Sequence, residues 1–395
     1  MQVPLSRPDI SQREIDYVLD VLKTPYLTLG PKIEALEKSF IKYLNVSHAL
    51  ATCNGTAGLH LAMRALGIGN GDEVITSPFS FVASANVIPY EKAIPVFVDV
   101  DPKTYNIDPV KIKNLIDSKY SFDGKKLINK DTKGRLAGIL PVHIFGHPVD
   151  MEPVLNIAKK FKLVVVEDAC EALGSYYQTK SEGEEIWKPV GTLGSCGVFS
   201  FYPNKQITTG EGGIVVTDDL HIAKLIVSMR NHGRSDMVSI GMAHERLGYN
   251  YRLDEMSAAM GLAQMERFNE MSQKRKRVAE NYHLKLQDIE EIELPYEANY
   301  ARVNWWVYVI RVKKQSIRDS LMQFLRNSGI GVRPYFPPIH LLPHYQKTYG
   351  YKEGDFPITE DLAKRTIGIP YHNNLTEEEM NYVVEKIKEG LSEIL

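Results

Sequence analysis

Through roughly the first 250 residues, short apolar runs alternate with stretches whose apolar positions recur every three or four residues. The runs are Ala49-Leu50-Ala51-Thr52-Cys53, Glu73-Val74-Ile75-Thr76, Ile94 to Asp99, Gly138 to Val142 and Leu163 to Asp168. None alternates cleanly between apolar and polar, so each predicts a strand buried on both faces. Leu59, Leu61, Ala62 and Leu66 at helical spacing, and the stretch Met151 to Phe161, predict intervening helices. Strands and helices in this order predict an α/β fold, with a mainly parallel central sheet covered by helices. Ligands of such sheets bind beyond the carboxyl ends of the strands, and Thr56, Asp168 and Lys205 all fall just past such ends.

After about residue 254 the pattern changes. One long helix is expected from Glu255 towards Leu286, then a strand from Trp305 to Val312 and a helix from Ile317 to Asn327. A proline-rich segment, Arg333 to Pro343, and an amphipathic helix from Thr376 complete the chain. The expected division is a large α/β domain over 1–254, with an N-terminal helical segment, and a small α+β domain over 255–395. Asp117 to Arg135 and Gln178 to Lys188 are polar and read as solvated loops or surface hairpins, with no function assigned.

Composition narrows the class. Of 395 residues, 44% are apolar and 24% charged, as in ordinary soluble globular proteins. With 47 basic and 49 acidic side chains the net charge is −2, which gives no bulk attraction to nucleic acid or to an anionic membrane. The first eight residues lack the apolar core of a signal peptide, and no stretch reaches the apolar length of a membrane helix. Cys53, Cys170 and Cys196 are odd in number and widely spaced. They predict buried reduced thiols in a cytoplasmic protein, with neither a metal site nor a disulfide framework.

Lys205 follows the apolar Phe199-Ser200-Phe201 and precedes Thr209-Gly210-Glu211-Gly212-Gly213. Burial in that setting favours the neutral amine that a Schiff-base nucleophile needs; the alternative is an exposed turn lysine. Asn54-Gly55-Thr56-Ala57-Gly58 lies between a strand and a helix. Gly55 permits a tight turn, Thr56 can cap the helix, and the free N–H groups of the first turn suit a phosphate. Asp168 ends an apolar strand, where a carboxylate needs a positive partner such as a protonated pyridine nitrogen, or else caps a helix. Glu171 lies three residues on and points the same way if a helix begins there. Ser200 can donate to the same phosphate or to backbone, and Phe81 can stack on a flat ring or fill the core. Together these residues offer an amine nucleophile, a carboxylate for a ring nitrogen, a phosphate cradle and a ring platform, the four requirements of pyridoxal 5′-phosphate.

Asn54-Gly55-Thr56-Ala57, Gly71-Asp72-Glu73-Val74-Ile75, Pro95 to Asp101, Glu167 to Ala172 and Lys205 to Gly213 occur in this order. In them the chain resembles the DegT/DnrJ/EryC1/StrS sugar aminotransferases, a branch of the fold-type I pyridoxal-phosphate enzymes, over nearly its whole length. The resemblance implies that Lys205 binds the cofactor aldehyde and serves as the catalytic base, and that Asp168 pairs with the pyridine nitrogen. It further implies that Gly55, Thr56, Ala57 and Ser200 hold the phosphate and that Phe81 stacks on the ring. Glu171 stands where many members carry Gln or His near the phenolic oxygen, to which a carboxylate donates only when protonated. Gly248-Tyr249-Asn250-Tyr251-Arg252 resembles the loop that completes the partner subunit's site, which implies a homodimer with Asn250 or Arg252 reaching the neighbouring cofactor or substrate. Arg333 and His340 match a substrate-facing strand. The implied substrates are L-glutamate and a nucleotide-linked keto-deoxysugar, with the nucleotide, the sugar and the aminated carbon left open. A keto-cyclitol or aminoshikimate-type substrate, or a non-catalytic regulatory homologue, is the alternative.

Overall fold

The computed structural model describes residues 1–181, 183–235 and 243–395. Its first strands are β1 (His48–Thr52), β2 (Asp72–Thr76), β3 (Ile94–Phe97), β4 (Tyr120–Phe122), β5 (Leu127–Asn129), β6 (Arg135–Ile139), β7 (Val164–Asp168), β8 (Tyr176–Ser181), β9 (Glu184–Pro189), β10 (Cys196–Ser200) and β11 (Gly213–Thr217). The central sheet runs β1-β11-β10-β7-β6-β2-β3. Along this path β10, β7, β6, β2 and β3 are mutually parallel, while β11 runs against both β1 and β10. The helices of this part are α1 (Gln12–Leu22), α2 (Pro31–Leu44), α3 (Gly55–Ala65), α4 (Ala83–Tyr90), α5 (Pro109–Lys119), α6 (Met151–Phe161) and α7 (Leu220–Arg230).

Adjacent strand residues explain why the apolar runs do not alternate. Val165, Phe199 and Val216 enter a core with Leu36 and Phe40 of α2, Ile112 of α5 and Val154 of α6. Their neighbours Val166, Val198 and Val215 enter a second core with Leu59 and Leu61 of α3, Val87 of α4 and Ile226 of α7. Side chains of a strand alternate between faces, so a strand covered on both sides must be apolar throughout. Helix α6 spans the expected residues because Met151, Val154, Ala158 and Phe161 form one buried stripe, and Lys162 ends the helix with φ 58°.

Both polar excursions contain hairpins, β4–β5 and β8–β9; Glu182, within the second, lies outside the described residues. The first is more than decoration. Strand β5 pairs with β6 and so lengthens the central sheet. Tyr120 Oη, Asn129 Nδ2 and Thr132 Oγ1 donate to the buried carboxylate of Glu73 at 2.5–3.1 Å. A buried carboxylate on β2 needs such donors, and the polar excursion supplies them.

The remaining elements are α8 (Glu255–Glu266), α9 (Phe268–Leu286), β12 (Ile292–Glu293), β13 (Ala301–Arg302), β14 (Tyr308–Val312), α10 (Gln315–Asn327), α11 (Pro343–Tyr349), α12 (Pro357–Arg365), β15 (Thr366–Ile369) and α13 (Glu377–Ile394). The antiparallel sheet β12-β14-β15 shares a core with α9, α10 and α13 through Tyr282, Ile310, Leu321 and Ile387. Two expectations need correction here. The single helix from Glu255 to Leu286 is two, joined at Arg267, whose guanidinium is drawn to Asp9 and Glu14 at 2.8–3.1 Å. The strand expected from Trp305 begins only at Tyr308, because the Trp305 and Trp306 carbonyls accept from Arg275 and the Trp306 N–H donates to Phe145 O. Helix α8 packs on α1 and α2, and Glu255 accepts the N–H groups of Gly30, Lys32 and Ile33 at the start of α2. Among the described residues, no helix is long and apolar enough to cross a membrane.

Candidate active site

The carboxyl ends of β7 and β10 and the amino end of α3 converge. Asn54 caps α3, its side chain accepting from the Ala57 N–H at 2.8 Å. The cap expected of Thr56 therefore belongs to Asn54, whose extended backbone precedes the helix. Thr56 instead occupies the first turn, where the N–H groups of Gly55 and Thr56 have no acceptor inside the helix. Gly55 is required by close packing. A Cβ there would lie 2.9 Å from both Cys170 Sγ and Ser200 Cβ, so the ends of β7 and β10 abut the helix start. Free N–H groups, a helix dipole and the Ser200 hydroxyl thus meet in one place, a combination suited to an anion.

Asp168 is only 4% exposed. Its Oδ2 accepts from Ser84 Oγ at 2.6 Å and its Oδ1 from the Cys170 N–H at 3.1 Å, which fixes the carboxylate plane. Ser84 lies in the first turn of α4, with Ser80 Oγ 3.0 Å away. Phe81 sits just before that helix and is 60% exposed, so its ring is not spent on the core. The serine behind the aspartate was not legible in the sequence; two small polar residues four apart are the only trace of it.

Lys205 lies in the turn that links β10 to β11, with its N–H donating to Tyr202 O. Its side chain is 12% exposed, and Nζ lies 3.6 Å from Glu171 Oε1. The amine also stands 3.7 Å from the centre of the Trp306 ring, a contact the sequence did not single out. Trp306 is held there because its Nε1 donates to Asn204 O at 2.8 Å. Glu171 Oε2 accepts from the Phe145 N–H at 2.8 Å. Gln206 Nε2 donates to Glu171 O and Asn304 O and so ties these turns together.

Burial pushes the Glu171 carboxyl up to about 7, against the opposing pull of Lys205 and the Phe145 N–H. The folded chain therefore holds this proton more tightly than the unfolded chain. The associated stability is complete below the ordinary carboxyl range and is lost as pH rises through about 7. The apoprotein should lose stability between pH 5 and 8, and Glu171→Gln should flatten that segment. At pH 8 the Gln variant should exceed wild type by about 2–3 kcal/mol, and at pH 5 the two should agree. Equal changes of unfolding free energy with pH for wild type and variant, from denaturant titrations across that range, would rule this out.

The other expected residues differ in exposure. Asn250 is exposed, and Arg252 Nη1 donates to Asn231 Oδ1 at 2.9 Å. Arg333 is exposed, its backbone paired with Gly368. His340 does not fit a substrate contact. It is wholly buried, with Nε2 3.0 Å from Glu360 Oε1 and its ring 4.7 Å from that of Phe356. The proline-rich segment turns it into the interior, where burial lowers its proton affinity. All three cysteines are free, but only Cys196 is buried; Cys53 and Cys170 are partly exposed, against the expectation of three buried thiols.

Residues 8–388 match the model of the DegT/DnrJ/EryC1/StrS aminotransferase family. Among curated relatives, the chain is 36% identical to the GDP-perosamine synthase of Caulobacter vibrioides, over 99% of this chain and 98% of that one. The structure resembles Helicobacter pylori PseC, an aminotransferase involved in the biosynthesis of pseudoaminic acid, with a TM-score of 0.88, 26% identity and complete coverage of both chains. It likewise resembles Spr1654 from Streptococcus pneumoniae in its PLP-form, with a TM-score of 0.89, 25% identity and complete coverage of both.

Proposed function

Because the chain belongs to the DegT/DnrJ/EryC1/StrS aminotransferase family and is a pyridoxal-phosphate-dependent sugar aminotransferase, we propose that it moves an amino group from L-glutamate to a keto-deoxysugar carried on a nucleotide. The observation that carries this is the convergence of Lys205, Glu171 and Asp168 with the amino end of α3 beyond the carboxyl ends of the central strands. The residues present suit the cofactor. In this reading the free N–H groups of Gly55 and Thr56 and the hydroxyls of Thr56 and Ser200 hold its phosphate; Ala57, whose N–H is given to Asn54 Oδ1, lines the cradle, and Gly55 keeps it open. The oriented, buried Asp168 faces its ring nitrogen, Phe81 covers a ring face, and Lys205 anchors it covalently. When bound, pyridoxal phosphate supplies the electron sink for the charge left as a proton departs.

The chain's own residues do the rest. Lys205 Nζ, once released from the cofactor, takes the proton lost from the α-carbon of the amino donor and returns it at the carbon where the new amine is installed. The Trp306 ring and the Glu171 carboxyl confine that amine to a short arc. Phe145 holds Oε2 of Glu171, leaving Oε1 to donate to a phenolic oxygen whenever the carboxyl is protonated, a state its burial favours near neutral pH. Asn250 and Arg252 serve the site of a second copy, and Arg333 meets the substrate. The working form is then a homodimer in the cytoplasm, with the division of the chain near residue 254.

A panel of GDP-, UDP-, dTDP- and CDP-linked sugars tests the substrate. The matching nucleotide at a hundred times its Kd should stabilise the fold by about 2.7 kcal/mol, and glutamate should be consumed only with the corresponding keto-sugar. The name of the Caulobacter relative makes GDP the first to try. No thermal response to any nucleotide, with turnover on a keto-cyclitol, would replace this reading with the cyclitol one.

A further inference from the structure

Gly248 to Arg252 lies against α7 and the end of β1. Tyr249 N–H donates to Met229 O, Tyr251 N–H to Arg230 O, and Cys53 N–H to Tyr251 O at 2.7–3.0 Å. The segment is extended, so Tyr249 and Tyr251 share one side and Asn250 takes the other. The two tyrosine rings stack at 4.9 Å and 12°, and both lie beside His60, at 4.8 Å and 5.9 Å. His60 is 5% exposed. Its Nδ1 lies 3.2 Å from Tyr251 Oη and its Nε2 lies 2.8 Å from Glu91 Oε1, while Arg64 Nη1 donates to Glu91 Oε2 at 2.7 Å.

These bonds have one consistent direction. Glu91 accepts from both Arg64 and the His60 Nε2–H, which leaves Nδ1 to accept the Tyr251 hydroxyl. Burial lowers the proton affinity of His60, in keeping with a neutral imidazole. The chain Arg64–Glu91–His60–Tyr251 thus anchors one side of the segment while Asn250 stands exposed on the other. Exposed apolar side chains lie nearby. Tyr90, whose ring is 5.3 Å from that of His60, is 53% exposed, and Leu247 is 66% exposed. Leu27 and Leu29 are also exposed, and Leu27 O accepts from the Glu255 N–H, three residues beyond the segment. Such a surface suits coverage by a second copy.

We infer that His60, far from Lys205 in the sequence and absent from its contacts, is a positioning residue for the neighbouring subunit's site: through Glu91 and Tyr251 it sets the backbone that presents Asn250. This rests on the reading that the segment serves a second copy. The Arg64–Glu91 pair holds the imidazole, the imidazole holds one phenol, and the phenol's backbone is pinned to Cys53. An exposed asparagine on a free loop would sample many positions; anchoring its neighbours leaves few.

Mixed dimers with differently tagged subunits test this. In the first, one subunit carries Lys205→Ala and the other His60→Ala. The single lysine-bearing site is then served by an intact segment. In the second, one subunit carries both substitutions and the other is wild type, so the lysine-bearing site is served by the altered segment. Pyridoxal phosphate is titrated into each, and the visible absorbance of the lysine-linked cofactor reports only the site with Lys205. Affinity should match wild type in the first arrangement and fall about 10- to 100-fold in the second. Tyr251→Phe, which keeps the ring and removes only the hydroxyl, should give the same asymmetry with a smaller loss and covers the case in which His60→Ala does not fold. Equal affinities in the two arrangements, or a loss confined to the first, would overturn the role of His60. A protein that is monomeric by light scattering would instead remove the shared site itself.

Discussion

Lys205→Ala is expected to lower turnover by at least about 10⁴-fold, the upper end of what a positioned general base contributes, because both the covalent anchor and the base are lost. The fold should survive. The side chain is largely buried, but among the described residues its polar contacts are with Glu171 and the Trp306 face. Lys205 opposes the upward push on the Glu171 carboxyl, so its removal leaves a group that stays protonated rather than a stranded charge. Borohydride treatment of the cofactor-loaded wild type should leave a stable adduct on the peptide containing residue 205. The variant should show neither that adduct nor the visible absorbance of the lysine-linked cofactor. Near-normal turnover in the variant, or an unmodified peptide in the wild type, would defeat the assignment.

Asp168→Asn is expected to cost roughly 10²–10³-fold in kcat, the scale of removing one preorganised electrostatic partner from a site of developing charge. The substitution keeps the shape. Its remaining carbonyl oxygen can still accept from Ser84 or from the Cys170 N–H, the two donors that orient the native carboxylate. What disappears is the negative charge opposite a protonated ring nitrogen. Attachment of the cofactor to Lys205 should persist, which separates this variant from Lys205→Ala, and the melting temperature should change little. If kcat stays within twofold of wild type, the ring nitrogen does not depend on this carboxylate.

Most of the architecture was legible because covering the sheet on both sides writes unbroken apolar runs into the chain. Val164-Val165-Val166 is such a run, and Asp168 follows at the end of the same strand. Helix α6 and the helix from Thr376 were equally local, the first set by a buried stripe and the second, in the structure, by reciprocal cap bonds between Thr376 and Glu379. The Lys205 turn and the glycine-rich approach to β11 could be placed because few residue types suit those positions.

What could not be read along the chain was partnership. The break at Arg267 depends on Asp9 and Glu14, more than 250 residues earlier. The Trp306 ring meets Lys205 about a hundred residues after it, and Ser84 meets Asp168 from another helix. Resemblance to a substrate-facing strand placed His340 against the substrate, yet Glu360 and Phe356 close around it. Periodicity and capping act within a few residues, so the sequence alone determined which elements form and which of them carry reactive groups. Orientation, burial and the protonation of Glu171 arise between elements distant in the chain, and only the tertiary structure decided them.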